Sequence, residues 1–168
     1  MMKELVSKKS PMKKVCIETW GCQMNVADSE TMLSALKDKN YQYTQKADDA
    51  DLVLLNTCHI REKAKHKVMS RLGKLRILKD KNPDLMIAVA GCVAQAEKKS
   101  LLKEAPTIDI LLGPGKINEL PNLVENYQLN KTKQVAIGFS KSETKQEGIK
   151  KEKVSVVPQT IDGKTEVS

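Results

Sequence analysis

Four short runs of almost unbroken apolar character constrain this chain more than anything else in it: KVCIET (14–19), LVLLNT (52–57), MIAVAG (86–91) and DILLG (109–113). A strand with one face in water alternates apolar and polar residues. A strand that is apolar at nearly every position is covered on both faces, which is the condition of parallel sheets flanked by helices. Segments of helical period separate the runs. The first begins with Asn25 as N-cap and Asp28 three residues on, turns Met32, Leu33 and Leu36 inward, and ends near Asn40. The second runs from about Ile60 to Lys81, with Ile60, Ala64, Val68, Leu72 and Leu75 on one stripe, and stops before Pro83. A third spans roughly Val93 to Lys103. A fourth spans roughly Lys116 to Tyr127, and Pro121 separates its first turn from the rest. YQYTQ (41–45) reads as a further strand.

Repeated strand–helix–strand units predict an α/β protein: a three-layer α/β/α sandwich with a mostly parallel, Rossmann- or flavodoxin-like sheet and right-handed crossovers. At 168 residues there is room for one such core, and with aromatics at 3% that core is aliphatic. The expected organisation is a basic N-terminal extension (1–13), the α/β domain (14–130) and a polar segment (131–168) with short apolar islands at 135–137 and 154–157. No stretch of 18 apolar residues exists, and the basic N-terminus lacks the apolar segment of a signal peptide. A cytoplasmic monomer without a membrane partner is the expectation.

In a doubly wound sheet the carboxyl ends of the parallel strands open onto one edge, where ligands bind. Cys22 follows the first strand through TWG, Cys58 ends LVLLNT, and Cys92 ends MIAVAG, so all three are predicted at that edge. Each also precedes a helix start, where the positive end of the helix dipole favours the thiolate. Gly21 and Gly91 directly precede two of them and allow unusual backbone angles or a close approach. Cys16 lies inside its strand and is expected in the core. Three thiolates from three loops suit a metal centre with an open coordination position, either a 4Fe-4S cluster or a Cys-only zinc site. Three cysteines packed as small hydrophobes are the competing reading. His59 adjoins Cys58 as a candidate outer-sphere donor, and His66 lies among lysines on the helix face. GPGKIN (113–118) lacks the residues of a phosphate loop, since Ile117 follows Lys116.

The formal charge of +8 is uneven. Residues 1–14 carry +4, and residues 60–81 carry +7 from nine Lys and Arg against Glu62 and Asp80. Residues 131–168 carry +3, so the rest of the chain is −6. That asymmetry points to an anionic partner, nucleic acid first, or to a solvated lysine-rich surface. Arg61, Lys63, Lys65, Lys67, Arg71, Lys74 and Lys81 are the candidate RNA-binding residues, acting on backbone phosphates because aromatic stacking partners are few.

ETWGCQMNVADSE (18–30), LLNTCHIREKA (54–64), AGCVAQ (90–95) and ILLGP (110–114) closely resemble the N-terminal domain of the radical-SAM methylthiotransferases. WGCQMN and NTCxIRE point to the tRNA-modifying branch, the (dimethylallyl)adenosine tRNA methylthiotransferases. The resemblance covers roughly Lys13 to Tyr127. It implies that Cys22, Cys58 and Cys92 ligate an auxiliary 4Fe-4S cluster with one open iron, and that tRNA is the partner. It further implies addition of a methylthio group to C2 of isopentenyladenosine next to the anticodon. Full-length members of that family continue into a radical-SAM barrel, whose Cys-x3-Cys-x2-Cys triplet binds a second 4Fe-4S cluster and S-adenosylmethionine. No cysteine follows Cys92, so this chain is expected to be a fragment, a truncated product or an isolated domain. Residues 131–168 would then be a linker or the start of the missing radical-SAM domain, which another chain would have to supply for activity. Two other readings remain: a catalytically inactive basic RNA-binding remnant, and a flavodoxin-like ligand-binding module with structural cysteines.

Overall fold

The computed structural model describes residues 11–21, 23–58 and 62–138. Six strands form one sheet: β1 (Lys13–Trp20), β2 (Tyr41–Tyr43), β3 (Leu52–Thr57), β4 (Met86–Ala90), β5 (Ile110–Leu112) and β6 (Gln134–Ala136). Their order is β2-β1-β3-β4-β5-β6, and every neighbouring pair is parallel. The helices are α1 (Gln23–Lys37), α2 (Glu62–Lys81), α3 (Cys92–Ala96), α4 (Lys98–Glu104) and α5 (Leu120–Asn130), with 3-10 turns at Ala47–Asp49 and Pro114–Glu119.

Strand periodicity divides the core into two layers. Val53, Leu55, Ile87, Val89 and Leu111 point to one face and pack under Val68, Leu72 and Leu75 of α2, Val93 and Ala94 of α3, and Leu101 of α4. Their immediate neighbours Leu52, Leu54, Met86, Ala88, Ile110 and Leu112 point to the other face, under Met32 and Leu36 of α1 and Leu120, Leu123 and Val124 of α5. Strands apolar at both parities follow from this arrangement, because neither face meets water. The three-layer sandwich is therefore the fold.

Local differences from the sequence reading have local causes. Helix α1 begins at Gln23, two residues before the expected cap, because Gly21 at φ 141° turns the chain early, and the Asn25 amide is buried against β3. The third helical region is broken at Glu97 (φ −108°, ψ 25°) into α3 and α4. The fourth opens with the 3-10 turn Pro114–Glu119 and becomes α-helical at Leu120, with Pro121 in the first turn where its missing N–H costs nothing. Beyond residue 130 the chain adds β6, paired in register with β5 through Ile110↔Gln134.

That last crossover departs from the expected handedness. The connections β3→β4 and β4→β5 advance across the sheet with their helices on the α2 face, whereas β5→β6 advances the same way with α5 on the opposite face. Its hand is thus the reverse of theirs, and the rule of right-handed crossovers does not extend to all of them.

Candidate functional site

Strand order reverses between β1 and β3: from β1 the chain moves outward to β2, and from β3 it moves the other way to β4. The loops that leave the carboxyl ends at such a switch point diverge and open a crevice. In-register pairs Trp20↔Thr57 and Asn56↔Ala90 bring the ends of β1, β3 and β4 level with one another. Cys58 follows Thr57 directly, and Cys92 stands two residues beyond Ala90.

Two glycines let the loops close on each other. Gly21 has φ 141°, and a Cβ there would lie 3.0 Å from the Cys58 Cβ and collide with the Asn25 amide. Gly91 has φ 102°, and a Cβ there would fall on the Thr57 carbonyl oxygen. Both backbone conformation and space therefore exclude a side chain at either position. The Cys58 N–H donates to the Trp20 carbonyl at 3.3 Å, which ties the end of β3 to the end of β1.

Cys58 is half-buried and lines a cavity of about 400 Å³ together with Trp20, Thr57, Lys63, Ala64 and Lys67. The Lys67 ammonium lies 5.2 Å from the centroid of the Trp20 ring, within range of a cation–π contact. Cys92 is exposed at the first residue of α3. Cys16 is buried at 3% exposure within the sheet, and burial first, then the nearby Glu18 carboxylate, push its thiol pKa up. The structure thus separates the edge thiols Cys58 and Cys92 from the core thiol Cys16. Cys22 lies outside the described residues, between Gly21 and the start of α1. Among the described residues no group of three or more His, Cys, Asp or Glu side chains gathers as a metal site.

The seven basic candidates divide by environment. Lys63 and Lys67 face the cavity beside Cys58. Lys65 is tied to α3–α4 by ion pairs with Glu97 (3.4 Å) and Glu104 (3.2 Å), and Glu104 raises its pKa. The Arg71 guanidinium is bidentate on Glu18 of β1, at distances of 2.6 to 2.9 Å. Lys74 and Lys81 are exposed on α2, as is Arg76, which the sequence reading left out. Arg61 and His59 lie outside the described residues, and His66 is exposed. Lys116 of GPGKIN pairs with Glu119 at 3.1 Å inside its own 3-10 turn.

Sequence reasoning missed a buried polar cluster beneath the crevice. Asn56 is fully buried on β3, and its Nδ2 donates to the Asn25 carbonyl (2.8 Å) and to Ser29 Oγ (2.9 Å). Its Oδ1 accepts from Asn25 Nδ2 at 3.2 Å, and Ser29 Oγ lies 2.7 Å from Thr19 Oγ1 of β1. The one available signal was the polar pair Asn56–Thr57 closing an otherwise apolar strand, because a buried amide requires partners.

Residues 14–113 match the uncharacterized protein family UPF0004. The tRNA-2-methylthio-N(6)-dimethylallyladenosine synthase of Cereibacter sphaeroides is 56% identical over 116 residues, which cover 69% of this chain and 27% of that protein. The protein of the same name from Neisseria gonorrhoeae is 47% identical over 134 residues, 79% of this chain and 30% of that protein. The one from Roseobacter denitrificans is 54% identical over 111 residues, 66% of this chain and 25% of that protein. This chain thus spans between a quarter and a third of the length of these relatives.

Proposed function

The chain belongs to the UPF0004 family, and from that premise we propose that it is the cluster-binding domain of a cytoplasmic tRNA methylthiotransferase, acting on C2 of an isopentenyladenosine next to the anticodon. The single observation that carries this reading is the close approach of the loops after β1, β3 and β4 at the carboxyl edge of the sheet, beside the switch point. There Gly21 is packed on Cys58, Gly91 on Thr57, and a cavity opens beside the Cys58 thiol. A thiolate-only donor set is soft and fits iron–sulfur chemistry better than a hard cation. Cys22, Cys58 and Cys92 would hold a 4Fe-4S cluster. When bound by three thiolates, such a cluster supplies one iron whose remaining position accepts an exchangeable sulfur ligand.

The chain's own residues have definable parts in this. The cysteines would hold the cluster at the open rim of the sheet. The Trp20 ring and the Ala64 methyl give the cavity an apolar wall beside Cys58. Lys63 and Lys67 put positive charge on the wall of the cavity, beside the anionic group the cysteines would hold. Lys74, Arg76 and Lys81 offer exposed cations for tRNA phosphates. For the whole protein we propose the radical step and S-adenosylmethionine binding that the resemblance to the radical-SAM methylthiotransferases implies. No helix among the described residues is long and apolar enough to cross a membrane.

Anaerobic reconstitution with iron and sulfide tests the reading. The chain should retain about four iron atoms with their broad visible absorption. Cys58→Ala and Cys92→Ala should each lose most of that iron, while Cys16→Ala keeps it. Retention of zinc in place of iron, or equal iron in all the variants, would overturn the assignment.

A further inference from the structure

We infer that Asn56 is a positioning residue that locks the three cysteine-bearing loops in register with one another. The inference rests on the reading of those cysteines as a shared ligand set. Asn56 stands on the middle strand of the three, two residues before Cys58, and its amide makes three hydrogen bonds to the first two turns of α1. Nδ2 donates both hydrogens, to the Asn25 carbonyl and the Ser29 hydroxyl, and Oδ1 accepts from the Asn25 amide. Ser29 passes the connection on to Thr19 at the end of β1. On the opposite side a Cβ at Gly91 would lie 2.9 Å from Asn56 Oδ1, so the same amide also abuts the residue that precedes Cys92. One side chain therefore touches or bonds the supports of all three loops.

A leucine at position 56 would continue the apolar run from Leu52 to Leu55 but would leave the buried Asn25 and Ser29 groups without this partner. What an amide adds is direction: its bonds fail on a shift of α1 along β3 of a fraction of a residue, a displacement that apolar contacts resist less sharply. Three ligands to one small inorganic group need that accuracy, and residues that orient metal ligands from behind commonly change affinity by about 10- to 100-fold when removed.

Arsenite, which binds three convergent thiolates, reads the geometry independently of iron. The reduced full chain is titrated anaerobically with arsenite, alongside Asn56→Ser, Ser29→Ala and Val53→Ala. Val53 is buried on the same strand outside the network, so it controls for stability loss alone. The expected result is a loss of arsenite affinity of about tenfold or more in Asn56→Ser and a smaller loss in Ser29→Ala, with Val53→Ala near the parent value at equal or greater thermal destabilisation. If Asn56→Ser does not fold, Ser29→Ala against Val53→Ala decides. Unchanged affinity in a folded Asn56→Ser, or equal losses in Val53→Ala, would overturn the inference. A chain that captures arsenite but builds no cluster removes the cluster reading and leaves the role of Asn56 intact. A chain that builds the cluster while Asn56→Ser keeps parental arsenite affinity does the opposite.

Discussion

Gly91 illustrates how much one missing side chain can settle. Its φ of 102° and the Thr57 carbonyl where a Cβ would stand both forbid substitution. Gly91→Ala should lower stability by about 2 kcal/mol or more in urea unfolding, and it should push the loops after β3 and β4 apart. Tyr41 sets a different limit. It is buried at 4% exposure on β2, and its hydroxyl accepts from Gln128 Nε2 at 3.0 Å. Burial, and secondarily the Asp51 carboxylate, push its pKa up to about 12 from 10.0. Between pH 10 and about 12 the phenol stays neutral in the folded state and ionises in the unfolded one, so its contribution is intact below pH 10 and is lost as pH rises toward 12. Urea unfolding followed from pH 9 to pH 12 should show this decline, and Tyr41→Phe should flatten part of it. Tyr127, raised to about 12 chiefly by burial, accounts for a further share.

Helix α2 carries both structure and charge, and its two duties fall on different residues. Gly73 is exposed mid-helix, and a Cβ there meets nothing within 4 Å. Gly73→Ala should therefore stabilise the protein by about 0.5–1 kcal/mol, since alanine has the higher helix propensity and less backbone entropy to lose. Thermal unfolding measures it, and a lower midpoint would contradict it. Arg71 and Lys65 are committed to Glu18 and to the Glu97–Glu104 pair, and Lys63 and Lys67 line the cavity, while Lys74, Arg76 and Lys81 are exposed cations farther along the same helix. Under the proposed function, reversing these three to Glu should weaken tRNA binding and flatten its dependence on salt, the logarithmic slope falling by roughly one for each phosphate no longer neutralised. Arg71→Glu should instead destabilise the fold, because it sets a second carboxylate beside Glu18. Filter binding across a salt series, paired with unfolding curves, distinguishes the two classes; identical salt slopes in parent and triple variant would remove the helix from the tRNA surface.

The sheet as a whole is strongest at its centre and weakest at β6. Strand β3 is buried along its whole length between two neighbours, whereas β6 has three residues, one partner and an exposed Val135. Amide exchange should be slowest in β3 and β4 and fastest, among the strands, in β6. Protection of β6 equal to that of β3 would show that more than β5 holds it. The order of amino acids alone dictates the layered α/β architecture, the strands β1 to β5, and the division of Cys58 and Cys92 at the edge from Cys16 in the core. These are consequences of burial on two faces and of period-2 alternation, which are written locally in runs such as LVLLNT. The partners of Asn56, the pairing of Arg71 with Glu18 across 53 positions, the reversed crossover and the pairing of β6 with β5 emerge only once the chain is folded. Each depends on which segments meet in space, and a polar side chain or a three-residue strand looks the same in sequence whether its partner is water or a distant part of the chain.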